Sequence, residues 1–359
     1  MSKDASNNVG LSNDKPTIYL DHNVLDLFVK KEFTSFNLDS PFANLLRNDL
    51  QAVYSDETLR EIRISVGYES EFINVLSSLK ACYLKPTLEM PGFVSTDKAT
   101  LNFGSPQEYF DSYVTDNDTS MEDSMMKFAL KLNGGLRGES IESIHEEQKI
   151  AFDKLFSDID LEEFPEDIQL AFKSIFSGFK NQYSQALEKT ENIINKDVPD
   201  TKNWNGIKDF REGTKTGPKY LNNINPPRVV NKVFEAFRKE NSDMVGIDKI
   251  FDIDVNPIYP TRKSFTHEKV FRLYNLLNSF GYCPDSKLHN EKRFRAASSD
   301  NNHASLASFC DHLCSADENF LKKTEAAYEY LGVRTNIIDI SSTIKQMRHE
   351  QKESTREDK

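Results

Sequence analysis

The stretch Thr17–Phe28, TIYLDHNVLDLF, changes its period halfway along. Thr17–Leu20 is a short apolar run with a β-branched start, which predicts a buried strand. After Asp21 the apolar residues Val24, Leu25 and Phe28 fall at helical spacing. A strand that runs straight into a helix needs a crossover before the next strand, and that commits the chain to an α/β fold with a parallel sheet. The pattern repeats. AVYS (52–55) predicts a second strand, and Asp56 can cap the following helix, ETLREIRISV, with Leu59, Ile62 and Val66 on one face. A helix over 69–81 leads to a third strand, CYLKPTL, at 82–88. The same order returns at about 265, with a helix over 266–280 and one or two more over 292–309. DHLCSA (311–316) predicts a fourth strand ending at Asp317. A helix over 318–331 stops at Gly332, and TNIIDI (335–340) is a last strand.

Between these two parts, residues 90–264 carry little strand signal. Helices are predicted at 106–114, 121–133, 140–157 and 165–196, and another should start at Pro226–Pro227 and run to about Lys239. The helix at 165–196 has a sustained stripe of Ile168, Phe172, Ile175, Phe179, Tyr183, Leu187 and Ile194. It reads as a helix packed on its neighbours, with a partner-binding coil as the alternative. The expected organisation is a loose tail at 1–15, an α/β first part at 16–89, a helical insertion at 90–264, an α/β second part at 265–341 and a charged tail at 342–359. A protein partner or a second copy of the chain would bind through the insertion. Gly134, Gly135 and Gly138 follow no strand and precede no Gly-Lys pair, so they are not a phosphate loop. Lys202, Lys208, Arg211, Lys215 and Lys219 lie around Trp204 and Tyr220. That mixture suits stacking on single strands or an ordinary irregular loop.

The formal net charge of −12 disfavours non-specific duplex binding, which rests on phosphate neutralisation by Lys and Arg. It leaves room for a nuclease, whose carboxylate site is acidic by design. No apolar run approaches a membrane span, and the N-terminus has no apolar core of a signal peptide. Four cysteines without framework spacing suit a reducing cytoplasm.

Acids recur at the junctions. Asp21 ends the first strand, at the carboxyl edge where open α/β sheets place their working groups, although an N-cap would account for it equally. Glu61 sits one turn into the helix after the second strand. There it competes with Glu57, but the placement of Leu59 and Ile62 favours Glu61. Asp300 lies on or before the helix that precedes the fourth strand, and Asp317 ends that strand. In a parallel sheet all four can meet at one edge. Four carboxylates in a dry cleft repel unless protonated or metal-bound, and oxygen ligands suit Mg²⁺ or Mn²⁺.

YLDHNVLDLF, VYSDETLREI and SDNNHASLASFCDHLCSADENFLKKT resemble the three signature regions of the PIN-like nucleases. The resemblance covers about 17–88 and 265–340 and rests on order and spacing, notably the 17 residues from Asp300 to Asp317. It implies a Rossmann-like three-layer α/β/α domain with a central parallel sheet, here split by a mainly helical insertion. It also implies metal-dependent endonucleolytic hydrolysis that leaves a 5′-phosphate and a 3′-hydroxyl. RNA, single-stranded or structured like a transfer RNA, is favoured over DNA. Asp21, Glu61, Asp300 and Asp317 take the places of the family's acids, and Asn23 that of its small polar residue. A stand-alone toxin or defence effector is the matching family-level expectation.

Several residues near these acids carry two readings. Asp311 is a fifth acid or a structural one, with structure favoured. His303, three residues after Asp300, is a partner of the acids, a phosphate contact, or an ordinary helix histidine. His22 points away from Asp21 and reads as structural. Cys310 and Cys314 read as buried thiols, since a zinc site would need two more ligands. Lys292, Arg293 and Arg295 form a basic cluster ahead of Asp300, either a phosphate contact or a solvated helix face. The rival functions are a PIN-like scaffold or RNA-binding module without cleavage, a DNA nuclease, and an aspartate-nucleophile phosphatase. The last would want an Asp where the chain has Asn23.

Overall fold

The computed structural model describes residues 15–89, 94–115, 120–157, 159, 161–162, 164–243, 250–255 and 264–357. The tail expected over 1–15 lies outside them except for Lys15. Six strands form one sheet: β1 (Thr17–Leu20), β2 (Gln51–Tyr54), β3 (Cys82–Glu89), β4 (Val94–Asn102), β5 (His312–Ser315) and β6 (Asn336–Asp339). Their order is β4-β3-β2-β1-β5-β6, and every pairing is parallel except β3 with β4. The protein is therefore α/β with a mostly parallel central sheet, compatible with a three-layer α/β/α arrangement. The central strands are short and apolar throughout because both faces are covered. Ile18, Tyr19, Leu20, Ala52, Val53, Tyr54, Leu313 and Cys314 are all buried.

The chain starts in the middle of the sheet, runs outward through β2 and β3, and later returns to the other side of β1 with β5 and β6. The order reverses between β1 and β5, and this is the switch point where α/β sheets open a crevice at their carboxyl ends. Leu20 stands beside Cys314 in register, so Asp21 and Ser315 emerge level with one another. The Asp21 N–H donates to the Cys314 carbonyl at 3.1 Å.

Three local expectations are corrected. Residues 94–102 are a strand, not part of a strandless insertion. An antiparallel edge strand needs only one covered face, so VSTDKATLN carries no apolar run to betray it. Its partner β3 accommodates Pro86 through a register shift between Pro86 and Leu88. The helix Asp56–Ile64 is capped by Ser55, paired reciprocally with Thr58, and Asp56 instead accepts from the Tyr83 hydroxyl at 2.5 Å. The helix expected from Pro226–Pro227 begins at Val229, because Arg228 takes a left-handed conformation (φ 60°).

The chain divides into two compact units. One comprises the described residues up to Tyr113, Leu306–Leu321 and those from Arg334 on; the other comprises Val114–Ser305 and Lys322–Val333. The first unit holds the sheet and a core built from Leu20, Val24, Phe28, Leu46, Tyr54, Ile62 and Leu76. Ile344, on helix Ser341–Glu357, joins that core, so the charged C-terminal segment is anchored at its start. The second unit is helical. Val230, Val233, Phe237, Leu273, Leu277 and Phe280 form its main cluster, with the Phe237 and Phe280 rings 4.6 Å apart. Among the described residues no helix is long and apolar enough to cross a membrane.

Asp311 ties β1 to the start of β5. Its carboxylate accepts from the Thr17 N–H at 2.8 Å and the Thr17 hydroxyl at 2.9 Å, and its own N–H donates back to that hydroxyl. The Thr17 backbone bond, helped by the hydroxyl, holds the carboxyl below the usual aspartate range. A depressed carboxyl contributes stability above its unfolded pKa, and that contribution is lost as pH falls through the folded value. Wild type should thus lose more stability than Asp311→Asn when acidified from about pH 5 to below about pH 4. Urea titrations at each pH measure the difference, and parallel curves for the two proteins would contradict it.

Candidate metal centre

Asp21 follows β1 and occupies the N-cap position of helix His22–Lys30, yet its side chain makes no capping bond. The carboxylate is turned instead toward the end of β5. Its Oδ2 accepts from the Ser315 hydroxyl at 2.6 Å and from the Asn23 amide at 2.5 Å. The same amide donates to the Ser315 hydroxyl at 3.0 Å, which also accepts the Asp317 N–H at 3.1 Å. The Asn23 carbonyl accepts the Ala316 N–H. Asp21 is only 3 % exposed and Ser315 is fully buried. This interlocked set fixes one carboxylate in one orientation, as outer partners do for a metal ligand.

Asp21, Glu61 and His303 each offer a ligand atom, and these atoms lie within 4.8 Å of one another. The group could hold a metal ion. Glu61 comes from helix Asp56–Ile64, and Glu57 on the same helix is engaged at 2.5 Å by Arg60. His303 is fully buried on helix Glu291–Ala307. His22 stacks on Phe72 with ring centroids 4.5 Å apart, and its Nδ1 lies 3.6 Å from a Glu61 oxygen.

No protein-family model, curated protein or solved structure matches this chain.

The structure thus brings Asp21 and Glu61 together with His303, and Asn23 supports Asp21. It does not bring Asp300 or Asp317 into that group. Asp300 is half-buried one helical turn before His303. Asp317 is exposed, and its Oδ1 accepts the N–H groups of Asn319 and Phe320 at 2.8 and 2.9 Å, capping helix Glu318–Leu331. Asp311 is spent on Thr17 as described above. Lys292 and Arg293 are exposed, while Arg295 pairs with Glu291 at 2.9 Å and Asp123 at 3.3 Å. Of the basic residues near Trp204, Arg211 is half-buried and caps carbonyls of Asn278 and Ser279, a structural task.

Cys82, Cys283, Cys310 and Cys314 are buried free thiols. Burial pushes Cys314 up to about 12, with the Asp21 charge adding to the effect, and burial raises Cys82 to about 12 as well. Neither offers a thiolate at neutral pH, and thiolates are what zinc binds.

Ser315 is the site residue that no sequence pattern singles out. The one clue is a small polar residue at the end of a strand that pairs with the Asp21 strand. Ser315→Ala and Asn23→Ala should each weaken Mn²⁺ binding by about 10–100-fold while the fold survives. Isothermal titration with Mn²⁺ measures this, and unchanged affinity in both would show that Asp21 needs no support.

Proposed function

We propose that this chain is a divalent-metal-dependent phosphodiester hydrolase of the PIN-like kind, acting as an endonuclease on RNA. The convergence of Asp21, Glu61 and His303 at the carboxyl end of β1 carries this reading. Two anionic oxygens and an imidazole nitrogen suit Mn²⁺, with the all-oxygen preference of Mg²⁺ ranking it second. An ion bound there supplies Lewis acidity to a phosphoryl oxygen and to an attacking water.

The chain's own residues do the positioning. Ser315 and Asn23 hold Asp21 against rotation, and the rigid helix after β2 carries Glu61. Glu61 keeps 17 % of its side-chain surface in solvent, while Asp21 and His303 are closed off, so substrate approaches from the Glu61 side. The preference for RNA rests on the resemblance of the three sequence stretches to the PIN-like nucleases. The decisive assay incubates the full chain with end-labelled single-stranded RNA and its DNA counterpart, with Mn²⁺, Mg²⁺ or chelator. Internal cleavage of RNA in Mn²⁺, ending in 5′-phosphates, is the expected result. Cleavage of DNA alone would make it a DNA nuclease.

One observation favours a second reading. Asp317 caps a helix with one carboxylate oxygen, and the atoms within 4.8 Å of one another include only two carboxylates, those of Asp21 and Glu61. A metal-stabilised RNA-binding module without cleavage would show Mn²⁺ binding and RNA retention with the RNA left intact.

A further inference from the structure

We propose that the turn around helix Pro218–Leu221 is a binding surface for single-stranded RNA, with Tyr220 stacking on a base and Lys215, Lys219 and Arg228 meeting phosphates. This deepens the reading of the chain as acting on RNA, and the choice of RNA rests on that reading. In a chain of net charge −12, residues 213–234 hold Lys215, Lys219, Arg228 and Lys232 and no Asp or Glu, the longest acid-free run in the sequence. Lys232 is spent on the Asn225 carbonyl at 2.8 Å. Lys215, Lys219 and Arg228 are exposed, and among the described residues their side chains meet no carboxylate. Two neighbouring acids are already engaged. Glu212 lies 3.9 Å from Lys208, and both Glu329 oxygens accept the Arg228 backbone N–H at 2.9 Å.

The aromatic ring is held out on a pinned turn. Gly217 precedes Pro218 with φ 131°, a conformation that favours glycine. A Cβ on Gly281 would stand 2.6 Å from the Gly217 Cα, so the two backbones are in close contact. Leu221 is buried in the main cluster of the helical unit, and the Asn222 Oδ1 accepts the Cys283 N–H at 2.9 Å. Tyr220, next to these anchors, is nonetheless 60 % exposed. The Lys219 ammonium lies 5.7 Å from its ring centroid. An exposed contact of that kind is weak, so the ammonium can turn to a phosphate and leave the ring face to a base. A flat ring among unpaired cations matches the two parts of a single strand, its bases and its backbone, without reading sequence. A duplex keeps its bases in the stack and offers Tyr220 nothing.

Fluorescence anisotropy on the full chain, with an end-labelled single-stranded RNA of about 20 nucleotides, tests this surface. Chelator is present throughout, so that no cleavage intervenes. Three phosphate contacts give wild type about a twentyfold loss of affinity between about 50 and about 200 mM salt. Lys215→Gln with Lys219→Gln should reduce that loss to about threefold. Tyr220→Ala should bind about tenfold more weakly, or worse, at either salt concentration, with the salt dependence of wild type. Lys149→Gln with Lys180→Gln removes two lysines from helices Ile141–Ser157 and Glu166–Asp197 and should bind as wild type does, as should Asp21→Asn. No binding by wild type overturns the proposal, as does undiminished binding by Tyr220→Ala and the Lys215 and Lys219 pair, whatever the cleavage assay shows. Equal affinity for an RNA duplex overturns the stacking role of Tyr220, and binding of the DNA counterpart alone overturns the choice of RNA. A chain that cleaves nothing in Mn²⁺, yet binds RNA and loses that binding in these variants, keeps this surface and removes the nuclease reading.

Discussion

In the Asp21→Asn chain, Mn²⁺ should no longer raise the melting temperature, and the proposed RNA cleavage should fall by about a thousandfold or more. The substitution suits the purpose because Asn has the same shape. Its Oδ1 can still accept from Ser315 and Asn23, so the interlocked hydrogen bonds at the end of β5 survive. What is lost is the negative charge and one ligand oxygen. Metal-free melting should therefore stay within about 1 kcal/mol of wild type. Ion binding to the folded state alone would stabilise wild type by about 2.7 kcal/mol at a hundredfold excess over Kd, and the variant should forfeit that gain. Calorimetry with and without Mn²⁺, beside a single-turnover cleavage assay, reads both effects. Asp317→Ala is the control. Removing a helix cap costs about 1 kcal/mol, and the Mn²⁺ response should remain. If Asp21→Asn kept the response and Asp317→Ala lost it, the ion would sit elsewhere.

The second large effect concerns the helical unit. Asp285→Ala should destabilise it by about 3–5 kcal/mol, whereas Lys323→Met with Asp285→Ala should recover most of the loss. The Lys323 side chain has no exposed surface. Its ammonium lies 2.6 Å from Asp285, itself 19 % exposed, and 4.5 Å over the Tyr274 ring. Removing the carboxylate strands a positive charge in a place that water cannot reach. Removing both charges and filling the space with a thioether leaves nothing to strand. Trp204 is the single tryptophan and lies in this unit, so its fluorescence during urea unfolding follows the right part of the chain. Equal stability in the single and double variants would mean that Lys323 finds water or another acceptor.

Much of this architecture can be read from local pattern. Thr17–Phe28 announces its strand and helix because an unbroken apolar run, buried on both faces, gives way to apolar residues at helical spacing. The long helix at 166–197 is equally plain. β4 hides because an antiparallel edge strand leaves one face wet, and its polar residues mask the alternation. Asp21 is visible as a strand-end acid, yet its rank as N-cap or ligand is a matter of where the carboxylate turns. Asp317 illustrates the converse. The same strand-end logic marks it, but the helix that starts one residue later claims its oxygen. His303 shows no more in the sequence than its spacing from Asp300, and only the distance of its ring nitrogen from the two carboxylates places it in the ligand group.

Short-range regularities thus settle the parallel strands, most of the helices, the α/β class and the acid at the end of β1, since each depends on neighbours within a turn or two of chain. The pairing of β1 with β5, the lock of Ser315 on Asp21 and the meeting of Asp21 with His303 join residues almost three hundred positions apart. Separations of that length leave no trace in any local period, and only the folded chain decides them.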